Sequence, residues 1–280
     1  MIDPESTDRA RRLRARLDGD ERMTGWEMVA VAAAGLAAGG INSVVGSGTL
    51  VSFPVLLAAG FPPVTATISN SLGLTAGNLS GAIGYRRELR GQRPLLLKLL
   101  PASALGALTG AFLLLHLPAS TFEAVVPVLI ALAVVLVAVQ PLLQRWLGAH
   151  DAAEAARPVR GGRLAALFVG AYATGSYGGY FAASQGVLQI GIFGLVLRES
   201  LQRLNALKNV LTLAVNAVAA GAYIVFANDR LDWRAAGLLA AGSLVGGHVG
   251  ARFGRRLPSA VLRTAIVVLG ITAIVVLANG

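Results

Sequence analysis

The distribution of charged residues constrains this chain more than any other feature of its sequence. No Asp, Glu, Lys or Arg occurs between Met28 and Tyr85, or between Leu164 and Leu197. About 20 apolar residues, each rising 1.5 Å, cross a bilayer core of roughly 30 Å. Charge-free windows of this length therefore predict membrane-spanning helices. The hydrophobic fraction of 55% supports this prediction, because it exceeds that of ordinary soluble domains.

Ten apolar segments can be marked along the chain, in two sets of five. The second segment of each set is too short to cross a membrane, which leaves four full-length helices and one half-helix in each half. We therefore predict an all-α polytopic membrane protein. The first set comprises residues 26–45, 50–59, 64–85, 94–117 and 120–143, and the second comprises residues 164–181, 186–197, 201–226, 233–253 and 259–277.

Two charged stretches mark the boundaries of these sets. A tail at residues 1–25 mixes arginines with acidic residues, and residues 146–162 form a charged linker. The linker divides the chain into a first transmembrane repeat, residues 26–145, and a second, residues 163–280. The formal charge of +10 lies in the gaps between apolar segments and not along one amphipathic face, so we expect contact with lipid headgroups and no nucleic-acid partner.

The two halves repeat one another at fixed offsets, which predicts that they are homologous. Single matches of glycine or leucine mean little, but several matches in one register are hard to obtain by chance. Gly35, Gly40 and Asn70 recur as Gly170, Gly175 and Asn205 at an offset of 135, and Gly106, Gly110, Ala111, Leu117 and Pro118 recur as Gly246, Gly250, Ala251, Leu257 and Pro258 at an offset of 140.

Loop charges indicate that the repeats are inverted. In the first half, the loop between the third and fourth segments carries arginines at 86, 87, 90 and 93, and the next loop carries none. The second half reverses this order, with a balanced loop at 229–234 and arginines at 252, 255 and 256 in the next loop. Cytoplasmic loops are enriched in Lys and Arg, so equivalent loops are expected on opposite sides of the membrane.

Each half-helix follows a stretch that breaks regular structure. Irregular backbone is tolerated at membrane depth only where protein buries it or where it lines a wet cavity. The free N–H groups and positive dipole end of a half-helix suit an anion, and paired broken helices between inverted repeats are typical of secondary transporters. The alternative is that these small residues only allow helices to pack closely. The breaks are Gly46-Ser47-Gly48 and Ala183-Ser184-Gln185-Gly186.

Polar residues inside the predicted spans also favour an anion. No Asp or Glu lies near the middle of a predicted helix, whereas a cation carrier normally needs one. Lys208 lies about two turns inside its helix, flanked by Asn205 and Asn209. It can either bind an anion or extend to the interface. Asn70 holds the repeat position that matches Asn205, so the two amides can meet at one site or can each bind a neighbouring helix.

These observations give one candidate substrate-binding set and no metal, cofactor or catalytic site. His116 and His248 lack metal-ligand spacing, and no nucleophile and base lie at similar predicted depth, so an enzyme is not expected. The candidate residues are Gly46, Ser47, Gly48, Thr49, Ser69, Asn70, Ser184, Gln185, Gly186, Asn205, Lys208 and Asn209.

The residues from Gly35 to Arg87, with the break at 46–48 and the helix around Ser69 and Asn70, resemble the sulfite exporter TauE/SafE family. The second half is similar to the same family over 175–186, 205–209, 232–233 and 246–258, and the resemblance covers residues 26–277. The second break departs from it, since the family usually carries a glycine run where this chain has residues 182–186.

This resemblance implies a permease of the bacterial inner membrane that exports sulfite or small sulfur-containing organic anions. Together with the site, it predicts a secondary transporter that binds the anion near the midplane and exposes it to each side in turn. The sequence leaves open an anion channel with the same site and a membrane scaffold without transport. It also leaves open a homodimer, because the glycine faces at 106–110 and 246–250 can pack within one protomer or between two.

Overall fold

The structure is a computed structural model that describes residues 23–148, 160–197 and 199–253, together with Thr264 and Val268; at 143–148 only the backbone is described. Most of the tail and linker, the arginines at 255 and 256, the repeat positions 257 and 258, and nearly all of the tenth predicted segment lie outside the described residues.

The described chain is helical throughout, and no strand occurs within those residues. This confirms the all-α prediction, and the helix bounds fall within a few residues of the predicted segments, apart from α5, which extends to Gly148. In chain order the helices are α1 (Gly25–Val44), α2 (Thr49–Ala58), α3 (Pro63–Gly84), α4 (Arg93–His116), α5 (Ala119–Gly148), α6 (Gly162–Tyr180), α7 (Gln185–Leu197), α8 (Leu201–Phe226) and α9 (Trp233–Phe253).

Local chemistry explains where the helices begin. Thr24 caps α1 in a capping box with Glu27, whose carboxylate accepts the Thr24 N–H at 2.9 Å. Ser200 caps α8, and the carboxylate of Asp232 accepts the Ala235 N–H at 2.7 Å at the start of α9. Prolines lie in the first turn of α3 and of α4. A backbone N–H in the first turn has no acceptor within the helix, so proline loses no helical hydrogen bond there.

Large apolar side chains cover the outside of the bundle. Leu105 and Phe112 of α4 and Val128 and Val135 of α5 are all more than half exposed. Within the part of the chain that the structure describes, four helices are long and apolar enough to cross a membrane: α1, α4, α8 and the part of α5 from Ala119 to Leu142. An apolar exterior around a polar interior is the arrangement expected of a protein dissolved in lipid. The chain is therefore an integral membrane protein.

The two halves exchange their first helices. α1 packs along α9, and α6 packs along α4, so each first helix lies against the fourth helix of the other half. Repeat-equivalent glycines make both contacts: a Cβ added at Gly40 would lie 3.3 Å from the Gly246 carbonyl oxygen, and one added at Gly106 would lie 3.1 Å from the Gly175 carbonyl carbon. These glycine faces, whose partners the sequence left open, pack within the chain.

The short helices α2 and α7 lie inside this bundle. Phe53 and Leu56 of α2 are buried, as are Ile190 and Phe193 of α7. Phe53 contacts Phe181, with the ring planes edge to face and the centroids 5.2 Å apart. The bundle thus holds both interrupted segments away from lipid.

Candidate functional site

The two interruptions of the helices contact each other. We call residues 45–48, between α1 and α2, the first break, and residues 181–184, between α6 and α7, the second break. The Gly186 N–H, in the first turn of α7, donates to the Gly46 carbonyl oxygen of the first break at 3.1 Å. A Cβ added at Gly46 would lie 2.6 Å from the Gly186 Cα, so only glycine allows this approach. The structure therefore joins the two breaks at one point.

Both breaks end the preceding helix in the same way. The N–H groups of Val45 and Gly46 donate to Ile41, and those of Phe181 and Ala182 donate to Tyr177. In each case the second donor has a positive φ, +88° at Gly46 and +64° at Ala182. A left-handed residue after the last turn is a common helix terminator and favours glycine. The second break reaches this conformation with alanine and repeats it at Ser184, whose φ is +58°.

Lys208 reaches the contact between the breaks. Its side chain is 1% exposed, and its ammonium donates to the Asn42 carbonyl at 2.8 Å and to the Ser43 carbonyl at 3.3 Å. These carbonyls belong to the last turn of α1, where the helix dipole is negative. The stem of Lys208 passes Gly186, since a Cβ added there would lie 2.8 Å from the Lys208 Cδ. The ammonium is therefore held inside the protein and does not extend to the lipid headgroups.

Asn42 connects this lysine to the start of α2. Its carboxamide donates to the side chain of Asn78 on α3 and accepts the Gly48 N–H at 3.4 Å. Asn209, next to Lys208, donates to the Ser43 carbonyl at 3.1 Å. The end of α1 is thus bound by α3 and α8 together.

The matching asparagines Asn70 and Asn205 have different surroundings. Asn70 accepts from the Ser52 hydroxyl at 2.5 Å and donates to Thr49 at 3.3 Å, which fixes α3 to the first turn of α2. The Asn205 side-chain oxygen is buried and has no hydrogen-bond partner among the described residues. Equivalent positions therefore hold a satisfied amide in one half and an unsatisfied amide in the other.

The similarity of this chain to a known family extends over nearly its whole helical region. The sequence profile of the family described as "Sulfite exporter TauE/SafE" matches residues 31–277. The chain belongs to that family. The match spans both breaks and Lys208, and it confirms the resemblance seen in the sequence.

Several relatives of this TauE/SafE protein carry names of the same kind. It is 27% identical over 221 residues to the "Probable membrane transporter protein YfcA" of Escherichia coli, covering 79% of this chain and 76% of the relative. It is 26% identical over 239 residues to the "Probable membrane transporter protein ORF9" of a Sinorhizobium species, covering 84% and 85%. No solved structure matches the chain. The comparisons place the protein in a membrane transporter family.

Within this TauE/SafE chain the structure brings most of the predicted residues together, and all twelve are buried. Gly46, Gly186, Lys208 and Asn209 lie at the contact between the breaks. Ser69 lies elsewhere: its hydroxyl accepts the Asp232 N–H at 3.0 Å, at the entry to α9. The candidate site therefore centres on the end of α1 and the start of α7.

Other predicted groups are already engaged in this conformation. The Ser184 hydroxyl donates to the Ala133 carbonyl of α5 at 3.1 Å. The N–H groups of Leu50 and Val187, in the first turns of α2 and α7, donate to carbonyls of the breaks themselves. The Gly186 N–H already donates to the Gly46 carbonyl. Of these N–H groups only that of Gly186 is bound across the two breaks, so it is the donor that separation of the breaks would free.

Sequence reasoning missed the residues that hold Lys208 in place. Asn42 and Ser43 are buried and supply its acceptors, yet the repeat offset of 135 pairs them with Tyr177 and Gly178 and so gave no matching amide or serine. Asn42 stands four residues before Gly46, and a polar amide one turn before a helix-ending glycine was the one available signal. Side-chain contacts between α1, α3 and α8 cannot be inferred from spacing along one helix.

Proposed function

We propose that this protein is a secondary transporter of the bacterial inner membrane that exports sulfite or a small sulfur-containing organic anion by alternating access. One observation carries the proposal: a lysine ammonium is buried where two helix breaks meet. A buried charge normally requires an opposite charge or full hydrogen bonding. Its two acceptors are carbonyl oxygens, which carry only partial charge, so an arriving anion would gain a full Coulombic partner.

Charge and hydrogen-bond capacity favour a small oxyanion at this point. An ammonium has three N–H donors, and Lys208 directs two of them at the end of α1. The third donor, together with any N–H group released from the breaks, can bind oxygen atoms of a sulfonate or sulfite group. No carboxylate is needed on the protein, which agrees with the absence of Asp and Glu from the middle of the predicted spans.

Alternating access can follow from the contact between the breaks. We infer that the described conformation is a closed one, because the Gly186 N–H is bound to Gly46. In the proposed cycle the halves, acting as inverted repeats, move apart on one side at a time and expose Lys208 to that side. Support comes from the exchanged first helices and from the glycine contacts that match between the two halves.

The experiment removes the charge of Lys208 and keeps a hydrogen-bond donor at that position. The sequence has two lysines, Lys208 and the exposed Lys98 on α4, so Lys208→Gln has a matched control in Lys98→Gln. Purified protein in liposomes is loaded with sulfite or ethanesulfonate, and efflux is measured. We expect wild type and Lys98→Gln to transport alike and Lys208→Gln to lose at least about 90% of the rate, one order of magnitude or about 1.4 kcal/mol.

Equal transport by Lys208→Gln and wild type would remove Lys208 from the mechanism. No efflux of any tested anion from wild-type liposomes, together with no anion-dependent change in melting temperature, would reject the carrier. Unitary currents in planar bilayers would show instead that the same site serves a channel.

A further inference from the structure

A second group of buried polar side chains lies on α7 and α8, near Lys208. Gln185 and Gln189 occupy one face of α7, four residues apart, and Thr212 and Asn216 occupy one face of α8 at the same spacing. These four side chains are all at most 5% exposed. The Thr212 hydroxyl donates to the Gln189 side-chain oxygen at 2.9 Å, which fixes how the two faces meet.

Three of these residues have hydrogen-bonding atoms without a partner among the described residues. They are both side-chain atoms of Gln185, the Gln189 nitrogen and the Asn216 oxygen. Buried polar atoms in native proteins are nearly always satisfied by protein, water or a ligand. The Gln189 nitrogen and the Asn216 oxygen, on the helices α7 and α8, therefore point to a bound polar group. The unpaired Gln185 carboxamide lies toward α6, since a Cβ added at Gly178 would lie 2.3 Å from it. We call Gln185, Gln189 and Asn216 the amide subsite.

The position of the amide subsite relates it to the buried lysine. Thr212 of α8 binds Gln189 of α7, and Gly186, nearly one turn earlier on α7, lies against the stem of Lys208, four residues before Thr212 on α8. Gln185 therefore lies on the Lys208 side of the Gln189–Thr212 contact, and Asn216 lies on the other side. Four residues correspond to about 6 Å along the helix axis, so Gln185 and Gln189 are near enough to Lys208 for one short organic anion to contact them together.

The matching interface of the first half lacks these amides. When the helix ends Gly46 and Ala182 are aligned, Phe53 stands opposite Gln189. When Asn70 and Asn205 are aligned, Gly81 stands opposite Asn216. The repeat architecture does not require polar residues at these positions, so packing of the fold alone does not account for them. The amide subsite belongs to the second half only.

We propose that the amide subsite binds an uncharged polar group, a hydroxyl or carbonyl, of an organic anion whose acidic group lies at Lys208. This inference rests on the proposed transport function and specifies its substrate class: a short, polar-substituted organic anion is favoured over a bare inorganic one. Carboxamides supply both donors and acceptors, so they recognise a hydroxyl or carbonyl without adding charge. A site built to bond such a group discriminates against an analogue that lacks it, because its own buried atoms are then left unpaired.

The test compares two sulfonates that differ by one hydroxyl, ethanesulfonate and 2-hydroxyethanesulfonate. Each sulfonate is added as a competitor of sulfite efflux from liposomes that contain wild type, Gln189→Met or the control Gln92→Met. Gln92 is also a buried glutamine, but it binds the Glu88 and Arg203 carbonyls at the start of α4. We expect wild type and Gln92→Met to prefer the hydroxylated sulfonate by about tenfold in inhibition constant, and Gln189→Met to bring this ratio close to one.

The ratio separates this inference from the function on which it rests. Transport of both sulfonates with a wild-type ratio near one, or an unchanged ratio in both Gln189→Met and Asn216→Leu, would overturn the amide subsite and leave the transporter intact. If wild type neither transports sulfite nor is inhibited by either sulfonate, the transport function itself is rejected. If Gln189→Met changes the melting temperature but not the ratio of the two inhibition constants, the amides bind buried water and the inference is overturned.

Discussion

The two breaks have the same backbone path and different side chains. The first break uses Gly46 at its left-handed position and is tied down by Asn42 and Asn70, whose partners are protein groups. The second break uses Ala182 at the matching position and leaves Gln185 and Asn205 with unsatisfied atoms. Unpaired polar atoms occur in both halves, since the Ser47 hydroxyl of the first break also has no partner among the described residues. The difference lies in the amides: those of Asn42 and Asn70 bind α2, whereas Gln185 and Asn205 have unpaired atoms.

Gly46→Ala should have the largest effect. The added Cβ would lie 2.6 Å from the Gly186 Cα, and alanine is strained at a φ of +88°. We expect the free energy of unfolding to fall by about 3 kcal/mol, from overpacking and backbone strain together. Thermal unfolding in detergent micelles measures this. Gly221→Ala on α8 is the control, since a Cβ there would meet nothing within 4 Å; equal melting temperatures for the two variants would disprove the tight contact.

Lys208 links the two halves, and two substitutions separate its charge from its hydrogen bonds. Lys208→Met leaves the Asn42 and Ser43 carbonyls without their donor, whereas Lys208→Gln retains a donor. We expect the methionine variant to be less stable than the glutamine variant by about 2 kcal/mol, the penalty of unsatisfied buried acceptors. Chemical denaturation compares them. Equal stability would show that the carbonyls are satisfied in another way.

The asparagine pair tests whether the halves differ in polar satisfaction. Asn70→Leu removes the partner of Ser52 and Thr49, whereas Asn205→Leu removes a side chain with an unsatisfied oxygen. We expect Asn70→Leu to cost about 1.5 kcal/mol more in unfolding free energy than Asn205→Leu. The reverse order in a melting experiment would contradict the contrast drawn between the halves. Transport should respond in the opposite order, with Asn205→Leu the more impaired.

Ala182→Gly should have the smallest effect and the opposite sign. Glycine relieves the left-handed strain at a φ of +64°, although it also increases the entropy of the unfolded chain. We expect a gain of about 0.5 kcal/mol in unfolding free energy. The neighbouring Ala183→Gly is the control, because Ala183 is buried and is not among the residues with positive φ. A melting temperature that rises for Ala183→Gly and falls for Ala182→Gly would contradict the strain.

Local pattern was enough to predict most of the fold. The apolar segments predicted the nine α-helices of the described residues, with bounds correct to within a few residues apart from α5, which extends to Gly148. A helix satisfies its backbone within its own segment, so its position in a membrane protein depends on short stretches of sequence. The same pattern placed Lys208 two turns inside an apolar helix but left open whether its ammonium extends to the interface, and the structure holds it inside the protein.

The partners of each site residue could not be predicted in the same way. The sequence placed Ser69 with the site as a polar residue of the same helix as Asn70, yet the two side chains bind different neighbours. Asn42 was not among the predicted residues, although its side chain accepts the Gly48 N–H and its backbone carbonyl accepts from the Lys208 ammonium. Such contacts join helices that are far apart in the chain, and no periodicity within one segment encodes them.

By itself the sequence determined that this chain dissolves in lipid, where its helices are interrupted, and which family it belongs to. Those properties depend on hydropathy and on glycine positions, which act over a few residues. Only the tertiary structure decided that the two interruptions contact each other through Gly46 and Gly186, and that the Lys208 ammonium caps the last turn of α1. The reason is that packing between helices sets these contacts, and packing depends on the whole bundle at once.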